Sequence, residues 1–272
     1  MRGMKIRYAS LALGAVIPAL AVLTWFLVGY YAILPPSLVP SPVQVLQALL
    51  NWSGLTGGSQ PNMFYSGNLL HDVYATLLRV LGGFFAAMFL GVGFGVLIGM
   101  KRAADVMLSP SIKLLGPVPP ITIFPVAIVL FGIGEKTNVF LTAYGAFFPI
   151  LSASVTAVMG VHRDILRAGR MLGHRSLGLI MHVVIPAALP GIVGSLRIGL
   201  GLAWMMAVTS EMLAVHSGLG YTLWNAYNYF DYPAVYAAMF VIGFCGLVTD
   251  TVISIVTARA VRWHEDTNAR SQ

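Results

Sequence analysis

Uninterrupted apolar stretches constrain this chain more than any other feature. Several charge-free runs approach or exceed the roughly 20 residues that a helix needs to cross a bilayer. Only 9% of the 272 residues are charged, against 58% hydrophobic, where a soluble domain carries about a quarter charged. A chain this poor in charge cannot cover a water-facing surface, so the class is integral membrane and all-α. The runs define six spans: residues 11–32, 80–100, 114–134, 137–161, 183–211 and 233–258. The third contains Pro117, Pro119, Pro120 and Pro125, which predicts a broken or kinked helix, since proline removes a backbone donor and clashes with the preceding turn. The N-terminus has a basic start, but its apolar run over 8–34 exceeds the 7–15 residues or so of a secretory signal. It reads as a retained first transmembrane helix.

Lys and Arg in the connections orient the spans. Arg2, Lys5 and Arg7 precede the first span. Lys101, Arg102 and Lys113 fall between the second and third, Arg163, Arg167, Arg170 and Arg175 between the fourth and fifth, and Arg259, Arg262 and Arg270 after the sixth. Residues 33–75 and 214–232 hold no Lys or Arg, and of the remaining basic residues only Lys136 lies in a connection on the opposite side. Both termini are therefore expected in the cytoplasm, together with the loop over 163–186. The net charge of +7 has a membrane explanation, which removes nucleic acid as a partner.

The outer connections differ in kind. Residues 43–50 predict a short interfacial helix. Tyr221, Trp224, Tyr227, Tyr229 and Tyr232 form either a headgroup-level aromatic belt or a docking surface. Gly91, Gly95 and Gly99 recur every fourth residue of the second span, a flat face for close approach of another helix.

No catalytic constellation is present. The chain lacks a G-x-x-x-x-G-K-[ST] phosphate loop, an H-E-x-x-H pair and a G-x-S-x-G elbow, so no catalytic residue is expected and the chain is not read as an enzyme. The single cysteine, Cys245, excludes an internal disulfide and thiolate metal sites and reads as a small buried apolar residue. His162, His174 and His182 gather near one connection without an acidic or thiol partner at ligand spacing, so no metal site is expected. The charges inside the spans carry more information, because such residues face the bundle interior or a water-filled path. Arg79 stands at the outer start of the second span, where it can snorkel to the headgroups or belong to a pathway. Arg197 interrupts the fifth span, and Glu211 follows on nearly the same helix face about 21 Å further along the axis. Arg197 can line a pathway or hold backbone carbonyls or a neighbouring side chain. Asp250 is within reach of an inner-side arginine.

The loop over 163–186 reads as two short amphipathic helices. Arg163, Arg167 and Arg170 share one face beside apolar Ile165, Leu166, Met171 and Leu172. Gly173 can take the left-handed conformation that ends a helix, and Ser176 can cap a second helix running to Pro186. Such a half-apolar helix pair suggests a socketed contact with another protein.

This loop resembles the "EAA" loop of binding-protein-dependent ABC importer permeases, whose pattern is Glu-Ala-Ala, three residues, Gly, nine residues, Ile-x-Leu-Pro. Ala168, Gly173 and Pro186 match, Val183 and Ile185 are conservative variants, and Arg167 and Gly169 stand where the pattern has Glu and Ala. "LLRVLGGF" at 77–84, "GPVPPITIFPVAIVLFGIGE" at 116–135, "LRIGLGLAW" at 196–204 and "SGLGYTLWNAYN" at 217–228 are similar to the nitrate/sulfonate/taurine branch. The resemblance covers residues 70–264. It implies the type I importer permease fold with six transmembrane helices, preceded by a first helix and outer segment over 1–69 and followed by a short tail over 265–272. It also implies a bacterial inner-membrane location, a second permease copy, two ATPase subunits that bind the ATP and Mg, and a periplasmic or lipid-anchored solute-binding protein. No cofactor is expected on this chain. Arg163, Arg167, Ala168, Gly169, Leu172, Gly173 and Pro186 would form the coupling element. Arg197, Glu211 and Arg79 are the pathway candidates for a small anion or zwitterion: a sulfonate, taurine, nitrate or bicarbonate. The rival is an ion-coupled secondary transporter, which needs inverted repeats and midplane acids. No repeat is visible, and the acids Asp72, Asp105, Glu135, Asp164, Glu211, Asp231, Asp250, Glu265 and Asp266 lie almost wholly at span ends.

Overall fold

The computed structural model describes residues 16–17, 20, 22–29, 39–55, 68–174 and 177–269, with side chains up to residue 257. Its elements are α1 (Pro42–Ser53), α2 (Leu69–Met100), α3 (Arg102–Leu115), a 3₁₀ turn (Pro120–Ile123), α4 (Phe124–Phe131), α5 (Glu135–Met159), α6 (Arg163–Met171), α7 (Leu177–Ala214), α8 (Leu219–Asn228) and α9 (Tyr232–Ala269). Among the described residues four helices are long and apolar enough to cross a membrane, and five if α3 and the segment Pro120–Phe131 form one bent span. Half of the expected first span lies outside the described residues, and its described residues 16–17, 20 and 22–29 are helical.

The chain divides into two compact units, residues 1–70 with 222–241, and residues 71–221 with 242–272. In the first, α1 is the helix expected over 43–50. Its start is fixed by a capping box in which the Ser41 hydroxyl accepts from the Gln44 N–H and the Gln44 side chain accepts from the Ser41 N–H, satisfying two otherwise orphaned donors. The Trp25 indole N–H donates to the Pro40 carbonyl at 3.1 Å, and its ring stacks on Tyr236 and Phe240.

The second unit is built around α2, α5 and α7. The glycine face of α2 is occupied by α5: a Cβ at Gly91 would sit 2.9 Å from Ile150, at Gly95 2.5 Å from Ser154 and at Gly99 2.6 Å from Val158. The backbones approach where no side chain intervenes, which in lipid gains dispersion contacts without a hydrophobic driving force. Gly95→Val is accordingly expected to destabilise the fold by about 1–3 kcal/mol. Thermal unfolding in detergent would read this as a lowered midpoint, and an unchanged midpoint would disprove the close crossing. Gly145 of α5, against Met206, and Gly199 of α7, against Ile150, let those two helices approach.

The helical segment expected as the third span is bent where the prolines lie. α3 ends at Leu115, and the chain turns by 90° before Pro120–Phe131. Pro119 and Pro120 disfavour helical continuation at the residues before them, and Pro120 then opens the next turn. α3 starts twelve residues earlier than the span expected at 114 and buries no side chain.

Two further boundaries differ from the sequence reading. α2 begins at Leu69 rather than at 80, because Asp72, Thr76 and Arg79 are all buried on one helical face and find partners inside the protein. The loop does not hold a separate second helix. The segment from Leu177 continues past Pro186 into α7, through a π-helical turn at Ile180–Val184. Pro186 has no N–H for the His182 carbonyl, and its ring crowds that carbonyl. A wider turn relieves both, with the Ile185 N–H donating to Ile180 five residues back. The expected cap Ser176 lies outside the described residues.

Candidate functional site

The loop element begins with His162, whose ring nitrogen accepts from the Asp164 N–H. Asp164 lies in the first turn of α6 and Arg170 in the last, both complementary to the helix dipole. The Arg167 guanidinium meets Asp164 at 3.2 Å on the exposed surface. At the other end, Leu172 N–H donates to Ala168, Gly173 N–H to Arg170 and His174 N–H to Gly169. Gly173 has φ of 87°, a left-handed conformation that suits glycine at a helix end.

Gly169 is the buried residue of α6. A Cβ there would lie 2.9 Å from Leu179 and from Val183, so α6 rests directly on the start of α7. Leu166 packs against the core of Val96, Val158, Val184, Ala188 and Ile192, and Pro186 is half-buried at the end of the π turn. The rest of the apolar face points outward: Met171 is 87% and Leu172 80% exposed. Arg163, Arg167, Ala168 and Arg170 are exposed beside them. Among the described residues no group of three or more His, Cys, Asp and Glu could hold a metal ion. The His174 and His182 rings stack on each other.

At the opposite end of α7 the intramembrane charges assemble. Arg79 is 3% exposed, so it does not snorkel. Its Nη1 donates to Glu211 Oε1 at 2.7 Å and to the Ser217 carbonyl at 2.7 Å, its Nη2 to the Ser217 hydroxyl at 2.8 Å, and its Nε to Glu135 Oε2 at 2.6 Å, with Nη2 closing the second bond to that carboxylate. Glu211 is fully buried and also accepts from the Thr76 hydroxyl at 3.0 Å and the Gly220 N–H at 2.8 Å. Asp72 accepts from the Gly218 N–H, and Thr76 from the Leu219 N–H. Every donor and acceptor needed to hold a buried charge is thereby supplied. The cluster ties α2, α5 and α7 to the segment Ser217–Gly220, and this accounts for that sequence. Gly218 has φ of 106°, and a Cβ on it would meet Arg79 and Glu211 at 2.6 Å.

Glu135, Asp72, Thr76 and Ser217 were not among the candidates. Their signal was present: Arg79 lies near an end of the bundle poor in basic residues but rich in acids, and a lone buried cation there must take its counterions from them. The structure brings Arg79 and Glu211 together and places Arg197 elsewhere. Arg197 Nε and Nη2 reach Asp250 Oδ1 and Oδ2 at 3.2 and 2.8 Å, joining α7 to α9. The Trp204 indole N–H donates to Thr249 at 2.9 Å between the same helices.

This architecture has counterparts among known proteins. It superposes on a subunit of the MetNI methionine ABC transporter, in inward-facing conformations, with a TM-score of 0.61 at 22% identity, over 75% of this chain and 98% of that one. The taurine transport system permease protein TauC of Escherichia coli is 30% identical over 258 residues, 95% of this chain and 91% of its own. The nitrate import permease protein NrtB of a Synechocystis species is 31% identical over 227 residues, 82% and 80% of the two chains. The taurine and nitrate permease relatives favour the ABC importer reading over the secondary-transporter alternative. With the family profile matching residues 83–263, the chain belongs to the binding-protein-dependent transport system inner membrane components, the permease subunits of ABC importers.

Proposed function

We propose that this permease works as a homodimer in the bacterial inner membrane. Each copy would have six spans with both termini in the cytoplasm, and the pair would be driven by two ATPase subunits that hold the ATP and Mg and fed by a periplasmic or lipid-anchored solute-binding protein. Its cargo is a small anion or zwitterion of the sulfonate, taurine, nitrate or bicarbonate class, a reading supported by the relatives named for taurine and nitrate. Residues 70–264 form the transport domain and carry no cofactor. Arg163, Arg167, Ala168, Gly169, Leu172, Gly173 and Pro186 form the element that meets the ATPase.

One observation carries this reading. Met171 and Leu172 stand exposed beside a ring of arginines, on a helix seated at Gly169 against the base of α7. An apolar knob of this kind needs a socket in another protein, and its seat gives a push on α6 a direct route into a spanning helix. Arg167 supplies a cation where the family pattern has an acid, so the complementary residue on the ATPase is expected to be acidic. Arg79 and Glu211, which donate and accept within a closed cluster, act as a strap on the outer loop, leaving Arg197 as the pathway residue.

The test is co-expression with a genomically adjacent ATPase and solute-binding protein, followed by purification through a tag on this chain. The ATPase should co-purify, and its hydrolysis should rise when the loaded binding protein is added to proteoliposomes. Failure of the ATPase to co-purify would refute the reading. Uptake of labelled taurine, nitrate and bicarbonate then separates the cargoes.

A further inference from the structure

Among the described residues the Arg197–Asp250 pair stands apart from the Arg79 cluster and from the pairs of the 162–167 segment. At a rise of about 1.5 Å per residue, Arg197 lies roughly 21 Å along α7 from Glu211, and Asp250 roughly 27 Å along α9 from Tyr232. Arg197, and Asp250 bonded to it, therefore lie well along α7 from the Arg79 cluster. Yet in the isolated subunit the two side chains are 49% and 40% exposed, and their surroundings are open. Gly194 and Gly201 on α7 and Gly243 and Gly246 on α9 have no heavy atom within 4 Å of where a Cβ would stand. A charge facing lipid is costly, by about 2.5–3.5 kcal/mol for a lone one at the helix centre, and pairing offsets only part of the desolvation. A water-filled path along this face would solvate the pair.

The geometry of the pair says what else it can hold. Two parallel bonds from the planar guanidinium to the two carboxylate oxygens are the fork that arginine offers to any oxyanion with two oxygens on one face. Asp250 occupies that fork as a tethered carboxylate. The Trp204–Thr249 bond, beside Asp250 and two turns from Arg197, ties the same two helices together at 2.9 Å.

Resting on the permease reading above, we infer that Arg197 and Asp250 form an anion-exchange site on the translocation face. The transported monovalent oxyanion displaces Asp250 from Arg197, and Asp250 returns to expel it. Asp250 keeps the site neutral when empty, so that a deep positive charge does not trap the cargo. The displacing anion is the cargo in the water-filled path along this face. Asp250 is thus a specificity-determining residue, favouring anions able to compete for a two-pronged contact.

The test uses the whole importer complex in proteoliposomes with Cys245→Ala. Gly246→Cys, one turn from the intact pair, reports whether the face is wet; both 2-sulfonatoethyl and 2-trimethylammonioethyl methanethiosulfonate should modify it. Asp250→Cys leaves Arg197 unpaired, and the sulfonate reagent should then react about tenfold or more faster than the cationic one. Adding Arg197→Gln should bring the two rates together. Modification of neither cysteine would mean that lipid or the second copy seals this face, and would overturn the inference. So would a rate ratio that survives Arg197→Gln. Either result in a complex that retains its ATPase leaves the permease reading intact, whereas loss of the ATPase strikes that reading alone.

Discussion

Arg79→Met is expected to be the most damaging single substitution in the bundle. It removes the guanidinium from Glu211, which stays fully buried with only the Thr76 hydroxyl and the Gly220 N–H as donors. It also releases the two bonds that hold Ser217. Stranding one partner of a buried ion pair costs about 3–5 kcal/mol, chiefly from the charge left behind. Unfolding in detergent, followed by fluorescence or by size-exclusion profile, should show the variant largely unfolded under conditions where the parent is monodisperse. Glu135→Gln should cost no more than about 1 kcal/mol, because the Glu135 side chain is 64% exposed and such pairs contribute little. The double variant Arg79→Met/Glu211→Gln should recover part of the loss, since no uncompensated charge remains. An Arg79→Met protein as stable as the parent would remove the cluster from the account of the fold.

Gly169→Leu should have the largest effect on transport. Any Cβ at 169 already lies within 2.9 Å of Leu179 and Val183, and a branched side chain must lift α6 off the base of α7. The membrane-spanning helices do not depend on that contact, so the protein should still fold. On the proposed coupling role of α6, what would fail is the transfer of movement between an ATPase and the spans. Coupling free energies of this kind run to about 1–3 kcal/mol, or roughly 5- to 150-fold in the coupled equilibrium. Binding-protein-dependent uptake in proteoliposomes should fall within that range, while Gly169→Ala, whose single methyl asks its neighbours to give only slightly, should fall less. Full uptake by Gly169→Leu would show that α6 transmits nothing through this seat.

Four of the apolar spans, the bend at the prolines, the glycine face and the glycine end of α6 were legible in the sequence. They depend on local rules: the length of apolar runs, the donor that proline lacks, the conformation open to Gly173. The charge cluster was not read, because its members lie far apart in the chain and meet only after three helices pack. Even so, Asp72, Thr76 and Arg79 already marked one buried polar face by their spacing of four and three. Helical phase alone grouped Arg197 with Glu211. Their actual partners differ, since α9 supplies Asp250 to one and α2 supplies Arg79 to the other, and no periodicity within α7 could reveal which neighbour reaches which turn.

The π turn at Ile180–Val184 carries a further consequence. Leu179, Val184, Ala188 and Ile192 are all buried, but the first step is five residues and the others four. In an unbroken α-helix a five-residue step would swing Leu179 away from the stripe that the later residues form. The wide turn takes up the extra residue, so the seat for α6 and the interior of the bundle stay in phase along one helix. The same turn is a ready-made slip point: if it migrated by one turn, the segment beneath α6 would rotate relative to the rest of α7 without breaking the helix. A rod with such a joint can convert a push at its foot into torsion and need not slide as a whole.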